Sequence, residues 1–442
     1  MTDPMKISRL PDNDATNAWN TILPKREPHA PLAAQTKADW LVIGAGYAGL
    51  AAARRLAENR PDEKIVIVEA GRCGENASGR NSGFAIDLPH TTSSNLDELT
   101  GAHRHMRLAR TAISELDQLV SKNDIACDWS RNGKYHAAVT EDGSRDMLVP
   151  FAKELEALNE PYQWIEGAEL AAKLGTKHFR RAVYTPGCVL MNPAALVRGL
   201  ADCLPGNVTL YENSPVSEIT YTNGVTVRTA DGTVTAPRMI LAANGFSDQF
   251  GFAKDRFVHL ALAASLTRPL TDQEQVAYGV EKPWGLTPAN GFGGITMRYT
   301  NDRRLLIRQD IRVAMGQKFP HRSTAEIGQN HKKLFDDRFP NLPDVTMENS
   351  WIGYICMSRN GAPMFGKVAP NVWMATCQNG IGVTKGTIGG LLAADMACGR
   401  DNPLIEDMQS LGEPIKLPPR PLVEVGARAT IKWEVWKNRR EA

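Results

Sequence analysis

The chain has 442 residues, of which 42% are hydrophobic and 23% charged, and its net charge is +2. This length exceeds the size at which a single core stops growing, so we expect two domains. The dispersed charge excludes the basic patch of a nucleic-acid-binding protein, and no apolar run predicts an integral membrane segment. Seven scattered cysteines without C-x-x-C spacing and a polar N-terminus indicate a cytoplasmic protein without disulfides or structural zinc.

The first 37 residues contain several prolines and little periodicity. Proline fixes the backbone and removes an amide donor, which disfavours regular secondary structure. We therefore expect residues 1–37 to form an extended arm that lies on the body of the protein.

A strand-to-helix turn with three glycines follows the arm. Residues 41–43 form an apolar run typical of a buried parallel strand, and Gly44, Gly46 and Gly49 follow in G-x-G-x-x-G spacing. The first glycine permits a tight turn, the second lets the backbone approach a pyrophosphate, and the third lets the helix pack closely on the strand. The helix expected over residues 48–59 directs its N-terminal amides at the phosphates.

An acidic residue follows at the distance that such a unit requires. A second predicted strand, residues 65–68, ends at Glu69, twenty residues after Gly49. A carboxylate at this position binds a ribose hydroxyl and disfavours the extra phosphate of NADP. Strand, glycine turn, helix and acid together predict a dinucleotide site, whereas the glycines alone would also fit an ordinary turn.

The next part of the chain predicts two helices. Apolar residues recur at helical spacing over residues 97–122 and 148–159. His103 and His105 lie in the first of these helices without nearby partner ligands, so we interpret them as a solvated helix face and predict no metal site.

Strands dominate the remainder. Short strands begin near residue 207, and a second strand-rich block spans residues 292–311. A strand over residues 372–376, a glycine turn and a helix over residues 384–398 then return to the pattern of a nucleotide unit. That unit is therefore expected to consist of separated segments with a second domain inserted between them.

These segments together resemble the D-amino-acid oxidase (DAO) superfamily of FAD enzymes, in the branch near gamma-glutamylputrescine oxidase and glycine oxidase. The most specific segment is Ala77-Ser-Gly-Arg-Asn81, which in the family passes beside the flavin ring. The resemblance covers residues 19–399 and includes four further blocks: the nucleotide motif and residues 191–216, 240–246 and 377–384.

The resemblance implies an α/β fold with two parts. One is a Rossmann-like, glutathione-reductase-like FAD-binding domain built from discontinuous segments, and the other is a mostly antiparallel β-sheet substrate domain with helices. We assign residues 38–102, 183–252 and 347–405 to the FAD-binding domain and residues 103–182 and 253–346 to the substrate domain. Residues 1–37 remain the arm, and residues 406–442 are a C-terminal tail.

The resemblance also assigns the FAD contacts. The helix after Gly382 would direct its positive end at the flavin, where it stabilises the negative charge of the reduced ring. The expected cofactor-binding residues are Gly44, Ala45, Gly46, Tyr47, Ala48, Gly49, Glu69, Ala70, Arg72, Ser78, Gly79, Arg80, Asn81, Ser82, Val216, Ala243, Asn244, Gly245, Asn379, Gly380, Ile381, Gly382, Val383 and Thr384.

The activity implied by the resemblance is oxidation of an amine or amino-acid C–N bond, with hydride transfer to flavin N5 and hydrolysis of the resulting imine. A gamma-glutamylputrescine-like or other primary or secondary amine is the expected substrate, with O2 as acceptor. An FAD dehydrogenase of a D-amino or imino acid that reduces a quinone or another acceptor is an alternative, because residues 305–308 lack the lysine that sarcosine oxidase carries there. A non-catalytic flavin-binding subunit is a third reading.

Five residues are candidates for binding or catalysis at the substrate. An arginine fork suits a carboxylate, and the predicted strands carry Arg298 and Arg308, for which a solvent-facing side of the sheet is the alternative. His90 follows the flavin-facing segment, and Lys385 stands at the start of the final helix. Tyr354 is expected in an aromatic wall of the pocket.

Two features leave alternatives open. Cys356 lies in a region where sarcosine oxidases bind FAD covalently, but the following residues do not match in spacing, so we expect non-covalent FAD. The tail mixes Ile431, Trp433 and Trp436 with basic residues. We expect it to pack on the body or on another subunit of a homo-oligomer, with a membrane surface as the alternative.

Overall fold

A six-stranded sheet, here called the nucleotide sheet, carries the glycine turn. The computed structural model describes residues 3–11, 15–89, 96–288, 294–318 and 323–441. The first five strands of this sheet are parallel and the sixth is antiparallel to its neighbour. In spatial order the strands are Val208–Tyr211, Ile65–Val68, Trp40–Ile43, Arg238–Leu241, Val372–Thr376 and Met364–Ala369.

Different layers cover the two faces of the nucleotide sheet. Trp40 and Val42 point into a core formed with the helices Tyr47–Asn59, Pro193–Asp202 and Gly382–Ala397. Leu41 and Ile43 point the other way, because side chains alternate along a strand, and join a second core. Both faces are therefore apolar, as is typical of a buried parallel sheet.

A five-stranded sheet supplies that second core. Its strands are, in spatial order, Met5–Lys6, Glu218–Thr220, Val225–Arg228, Thr233–Ala236 and Gln35–Lys37. The N-terminal arm thus forms both edge strands, and between them it contains the short helix Ala18–Thr21. The arm is more regular than its proline content predicts, since neighbouring strands supply hydrogen-bond partners that the local sequence does not reveal.

An eight-stranded sheet, here called the substrate sheet, forms the other large layer. It is antiparallel except where Trp284–Pro288 pairs in parallel with Lys134–Ala138. In spatial order the strands are Met347–Met357, Val258–Thr267, Leu305–Val313, Thr296–Tyr299, Trp284–Pro288, Lys134–Ala138, Arg181–Thr185 and Gln163–Glu166. This combination of sheets confirms the predicted α/β fold class.

The substrate sheet has a helix-covered face and an inner face. The helices Gly167–Leu174, Asp272–Tyr278 and Thr324–Arg338 pack on the first through residues such as Leu170, Tyr278 and Phe335. The opposite face, here called the inner face, carries Arg298, Arg308 and Trp351. It lies against the short helix Ala77–Arg80, because the Trp351 indole nitrogen donates to the Arg80 carbonyl at 3.0 Å.

Smaller elements join these layers. The predicted helix over residues 97–122 is present as Leu96–Lys122, and the one over residues 148–159 as Val149–Ala157. The others are Glu141–Gly143, the π-helix Ser144–Leu148, the 3₁₀-helix Asn244–Phe250, the helices Leu404–Ser410 and Arg420–Lys437, and a ribbon of Phe84–Ala85 with Val189–Leu190.

The strand pairing bears on the predicted domain boundary at residue 347. Met347–Met357 pairs with Val258–Thr267 along its length, so it belongs to the substrate sheet by hydrogen bonding although the sequence places it in the FAD-binding segments. Pairing between strands that are far apart in the chain cannot be predicted from the local sequence, so the sequence could not assign this strand to a sheet. The remaining domain boundaries stay a prediction.

Candidate functional site

The glycine turn after Trp40–Ile43 leaves no room for a side chain at two of its three glycines, Gly44 and Gly49. Gly44 has φ +98°, and a Cβ on it would lie 2.9 Å from the Ala242 carbonyl oxygen. A Cβ on Gly49 would lie 1.8 Å from the Gly44 carbonyl oxygen, so only glycine lets this helix sit so close to the strand. Gly46 is the N-cap of Tyr47–Asn59 and provides no side-chain cap, which leaves amides of the first turn for an anion. The turn therefore fits the pyrophosphate of a dinucleotide.

Glu69 lies at the end of Ile65–Val68 and is buried. Its carboxylate accepts hydrogen bonds from the Ala45 amide at 2.7 Å, the Gly71 amide at 3.1 Å and the Asn76 side-chain amide at 3.4 Å. Burial raises the pKa of Glu69, and the two backbone hydrogen bonds oppose that shift. The side chain is thus fixed beside the glycine turn, at the place where the sequence predicts a ribose contact.

The second glycine turn precedes the helix Gly382–Ala397. Gly380 has φ +82°, and a Cβ on either Gly380 or Gly382 would meet no atom within 4 Å, so backbone faces open space there. The helix begins without a side-chain cap at Ile381, so its first amides can bind an acceptor. Asn379 holds this turn in place, because its amide nitrogen donates to the carbonyls of Gly361, Ala362 and Cys377 at 2.9–3.1 Å.

Two glycines that the sequence reasoning did not single out bring the two helices together. A Cβ on Gly390 would lie 1.9 Å from the Ala48 carbonyl oxygen, and one on Gly386 would lie 3.4 Å from the Tyr47 Cβ. The uncapped N-termini of Tyr47–Asn59 and Gly382–Ala397 therefore belong to one closely packed pair. The signal was the run of small residues along Gly382–Ala397, whose partner helix could not be identified from the sequence.

The segment predicted to face the flavin is tied to the substrate sheet. Arg80 donates from Nη1 to the Ile352 carbonyl at 3.0 Å and from Nε to the Glu75 carbonyl at 2.6 Å. Asn81 donates to the Ser78 carbonyl at 2.7 Å, and a Cβ on Gly79 would lie 1.9 Å from the Gly74 carbonyl oxygen. These polar side chains therefore shape the backbone of the segment.

The other predicted cofactor contacts lie around the same region. Asn244 accepts a hydrogen bond from the Cys377 amide at 3.1 Å and so joins residues 243–245 to the second glycine turn. Thr384 donates to the Ile86 carbonyl at 3.2 Å. Val216 is buried in the core beneath the nucleotide sheet, and Arg72 lines a surface cavity with Arg198. Their contacts to FAD stay a prediction.

Arg298 is buried on the inner face and bonded to backbone. Its Nη1 donates to the carbonyls of Ser82 at 3.0 Å, Gly83 at 3.0 Å and Met191 at 2.7 Å. Its guanidinium carbon lies 5.2 Å from the Trp19 ring centre. Burial lowers the pKa of Arg298 to about 10. The structure thus makes Arg298 a positioning residue that ties the sheet to the flavin-facing segment.

Arg308 is the less satisfied arginine of the same face. It is directly opposite Thr296, two residues before Arg298, so the two arginines point to one side of the sheet. Its Nη2 donates to the Thr296 hydroxyl at 2.5 Å, and among the described residues it has no carboxylate partner. Burial lowers the pKa of Arg308 to about 10. A guanidinium in this setting can bind an incoming carboxylate.

Tyr354 does not join this group. Ala264 is opposite both Arg308 and Trp351, which places Trp351 on the inner face, whereas Tyr354 is three residues further along and points the other way. It packs with Ala263 and with Ile327 of the covering helix. The expected aromatic wall is therefore not formed by Tyr354, because the strand alternates its side chains. His90 lies outside the described residues.

Lys385 and His105 interact electrostatically near the start of the helix Gly382–Ala397. Lys385 is 8% exposed, and among the described residues no acceptor binds its ammonium group. Burial lowers the pKa of Lys385 to about 8. Burial, with the nearby Lys385 charge, lowers the pKa of His105 to about 3, and its Nε2 is buried without a hydrogen-bond partner. The interpretation of His105 as solvated was wrong, since the helix turns it toward Lys385.

Cys356 is buried in the core beneath the nucleotide sheet with Phe257 and Cys377. Burial raises the pKa of the Cys356 thiol well above its usual value. A thiolate is the reactive form of cysteine, so this setting disfavours a covalent bond to flavin. Non-covalent FAD stays the prediction.

Comparison with known proteins gives a consistent answer. The family described as FAD dependent oxidoreductase, DAO, matches residues 39–396. The chain is 28% identical over 401 residues to the probable oxidoreductase OrdL of Haemophilus influenzae, covering 88% of each chain. It is 25% identical over 385 residues to the gamma-glutamylputrescine oxidoreductase of Escherichia coli, covering 85% of this chain and 87% of the relative.

A solved structure shares the fold. Glycine oxidase from Geobacillus kaustophilus superimposes with a TM-score of 0.70 at 20% sequence identity, covering 84% of this chain and 96% of that one. The match spans most of both chains.

Proposed function

The chain belongs to the DAO family of FAD-dependent oxidoreductases, and from this premise we propose that it oxidises the C–N bond of a carboxylate-bearing amine. A gamma-glutamylputrescine-like compound is the best candidate, with O2 as the electron acceptor. Bound FAD supplies the oxidising power, since it takes up the electron pair as the amine becomes an imine. Water then converts the imine to a carbonyl compound and releases the nitrogen group.

Arg308 is the observation that carries the proposal. It is a cation on the inner face, with one hydroxyl partner and no carboxylate among the described residues. A partly buried charge without a counter-ion is costly, and a substrate carboxylate would offset that cost through two parallel hydrogen bonds. Gamma-glutamylputrescine and amino acids carry such a carboxylate, whereas free polyamines do not.

Backbone amides and Lys385 support an oxidation of this kind. The uncapped start of Gly382–Ala397 directs its positive end at the open space beside Gly380 and Gly382. Lys385 adds a cation on the same first turns. Both features would stabilise negative charge in the open space beside Gly380 and Gly382. A flavin bound there would gain such charge on reduction.

The Escherichia coli relative supports the choice of substrate class. Its name states oxidation of gamma-glutamylputrescine, and it aligns with 85% of this chain. At 25% identity the two proteins can have different substrates. We therefore carry over to this chain only that the substrate has an amine and a carboxylate.

The test is an anaerobic titration of the purified FAD-loaded protein with matched compounds, followed through the oxidised flavin band. Gamma-glutamylputrescine and putrescine form one pair, and glycine and methylamine form another. We expect bleaching by a carboxylate-bearing member and little by its partner. Bleaching by putrescine alone, or by none of the amines although dithionite bleaches the flavin, would contradict the proposal. Rapid return of colour on admitting air identifies O2 as acceptor, whereas slow return favours a dehydrogenase.

A further inference from the structure

The C-terminal helix Arg420–Lys437 carries an apolar stripe that faces away from the protein. Leu422, Val425, Trp433 and Trp436 are 66%, 69%, 59% and 54% exposed. They recur at i, i+3, i+11 and i+14, which places them on one side of the helix together with Ala429. Here they are called the outer stripe.

A different side of the same helix binds it to the protein. Ala427 and Ile431 pack on residues of the substrate sheet that include Leu260 and Ile311, and Val423 is buried. The outer stripe is therefore additional to the face that anchors the helix. An exposed apolar patch of this extent on a folded protein is typical of an interaction site.

Hydrogen bonds fix both ends of this segment. The Leu417 amide donates to the Asp255 carbonyl at 2.7 Å, just before the helix begins. After it ends, the Glu441 carboxylate accepts from the amides of Val139 at 2.7 Å and Thr140 at 3.0 Å. The helix is held along the protein surface, so it presents the outer stripe without having to detach.

Positive charge flanks the outer stripe. Lys432, Lys437, Arg439 and Arg440 are exposed, and within the described part of the chain none has a carboxylate partner. The partly exposed Glu424 is engaged by Arg420 and Arg428. The guanidinium of Arg439 lies 4.8 Å from the ring centre of Trp436, which places a cation directly beside the apolar surface.

We propose that this helix docks in the plane of an anionic phospholipid surface. The outer stripe would enter the boundary between headgroups and acyl chains, with the indoles at the level that tryptophan favours. The flanking cations would meet the phosphates. A second copy of the chain is a poorer occupant, because pairing two such faces would bring like charges together. None of the described helices is long and apolar enough to cross a membrane, so the contact is peripheral.

Vesicle co-sedimentation of the full-length, FAD-loaded protein tests the proposal. We expect binding to vesicles of phosphatidylcholine with phosphatidylglycerol, little binding to phosphatidylcholine alone, and weakening at high salt. The Trp433→Ser/Trp436→Ser variant should bind at least about tenfold more weakly, since two interfacial side chains are lost. Val276→Ser removes an 83% exposed apolar side chain elsewhere and should bind like the unchanged protein.

A charge variant and a mass measurement separate the alternatives. Lys432→Gln/Lys437→Gln should also weaken binding to anionic vesicles while leaving the flavin spectrum and melting temperature unchanged. Equal binding of all variants, or no binding to anionic vesicles, would overturn the proposal. A dimer by light scattering that Trp433→Ser/Trp436→Ser converts to a monomer, without vesicle binding, would assign the stripe to a second copy instead.

Discussion

The nucleotide sheet and the substrate sheet satisfy their buried polar groups in opposite ways. At the end of the nucleotide strands, Glu69 accepts three hydrogen bonds from neighbouring N–H groups. On the inner face of the substrate sheet, Arg308 donates to one hydroxyl, and in the helix Gly382–Ala397 Lys385 has no acceptor among the described residues. A saturated group shapes the protein, whereas an unsaturated one retains free energy for a ligand.

Arg298 sharpens this comparison because it lies on the same face as Arg308 but has more acceptors, although its Nε is buried without a partner among the described residues. Three carbonyls accept its Nη1 hydrogens, and two aromatic rings flank it. Residue type and sheet face therefore do not decide the role of an arginine. The number of acceptors that the fold already supplies does.

The largest effect is expected from Gly49→Ala on the nucleotide side. The added methyl group would lie 1.8 Å from the Gly44 carbonyl oxygen. Both atoms belong to or adjoin the backbone of packed elements, so relieving the clash would require the strand or the helix to shift. We expect loss of bound FAD and a much lower melting temperature. Gly101→Ala is the matched control, because its Cβ would meet nothing within 4 Å in a helix, where alanine stabilises by up to about 1 kcal/mol. Retention of flavin by Gly49→Ala would contradict the close packing of this turn.

Arg298→Leu should mainly lower stability. It removes a donor from the carbonyls of Ser82, Gly83 and Met191, at a cost of about 3 kcal/mol in the free energy of unfolding. Urea denaturation measures this change. Arg238→Leu, at a partly exposed pair with Glu63, should cost less than about 1 kcal/mol. Equal losses in the two variants would show that the carbonyl contacts of Arg298 contribute little.

Arg308→Leu should mainly lower activity. The variant keeps an apolar surface on the inner face, so we expect little change in the free energy of unfolding. For a carboxylate-bearing amine, kcat/KM should fall roughly a hundredfold, the equivalent of about 3 kcal/mol for a charged hydrogen-bonded pair. The matched amine without a carboxylate serves as the control and should react equally well with both proteins. A similar fall for both amines would remove Arg308 from carboxylate recognition.

Lys385→Met should stabilise the FAD-free protein at neutral pH. The folded-state pKa of Lys385 is lowered to about 8, so between pH 8 and about 10.5 the unfolded chain binds more protons and stability rises with pH. Below pH 8 the full cost of burying the ammonium is present, and methionine removes it. We expect a gain of about 3 kcal/mol at pH 7 that disappears near pH 10.5. Lys153→Met, at an exposed site, should show no such pH-dependent difference in urea midpoints.

Tyr354→Phe should have the smallest effect. Its side chain points to the helix-covered face of the substrate sheet, away from Arg308. We expect kcat/KM to change by less than about threefold, which corresponds to roughly 0.6 kcal/mol. A large fall in steady-state kinetics would mean that the two faces are coupled through the strand.

Local signals in the sequence were sufficient for the nucleotide side. Gly44, Gly49 and Glu69 act within one strand–turn–helix–strand unit, so their spacing predicted the nucleotide unit and its turn, whereas the fold class followed from the family resemblance. Arg298 and Arg308 could be placed on strands but not told apart, because the acceptors of Arg298 come from residues about 100 and 200 positions away. His105 was misread for the same reason, since only the packing of two distant helices turns it toward Lys385.

The edge strands of the five-stranded sheet have a consequence for synthesis on the ribosome. Met5–Lys6 pairs with Glu218 and Ile219, so this strand waits for about 210 further residues before its partner exists. At 5–20 residues per second this delay is roughly 10–40 s. Throughout that time Met5–Lys6 has an unpaired strand edge, the kind of exposed edge that favours aggregation of a folding chain.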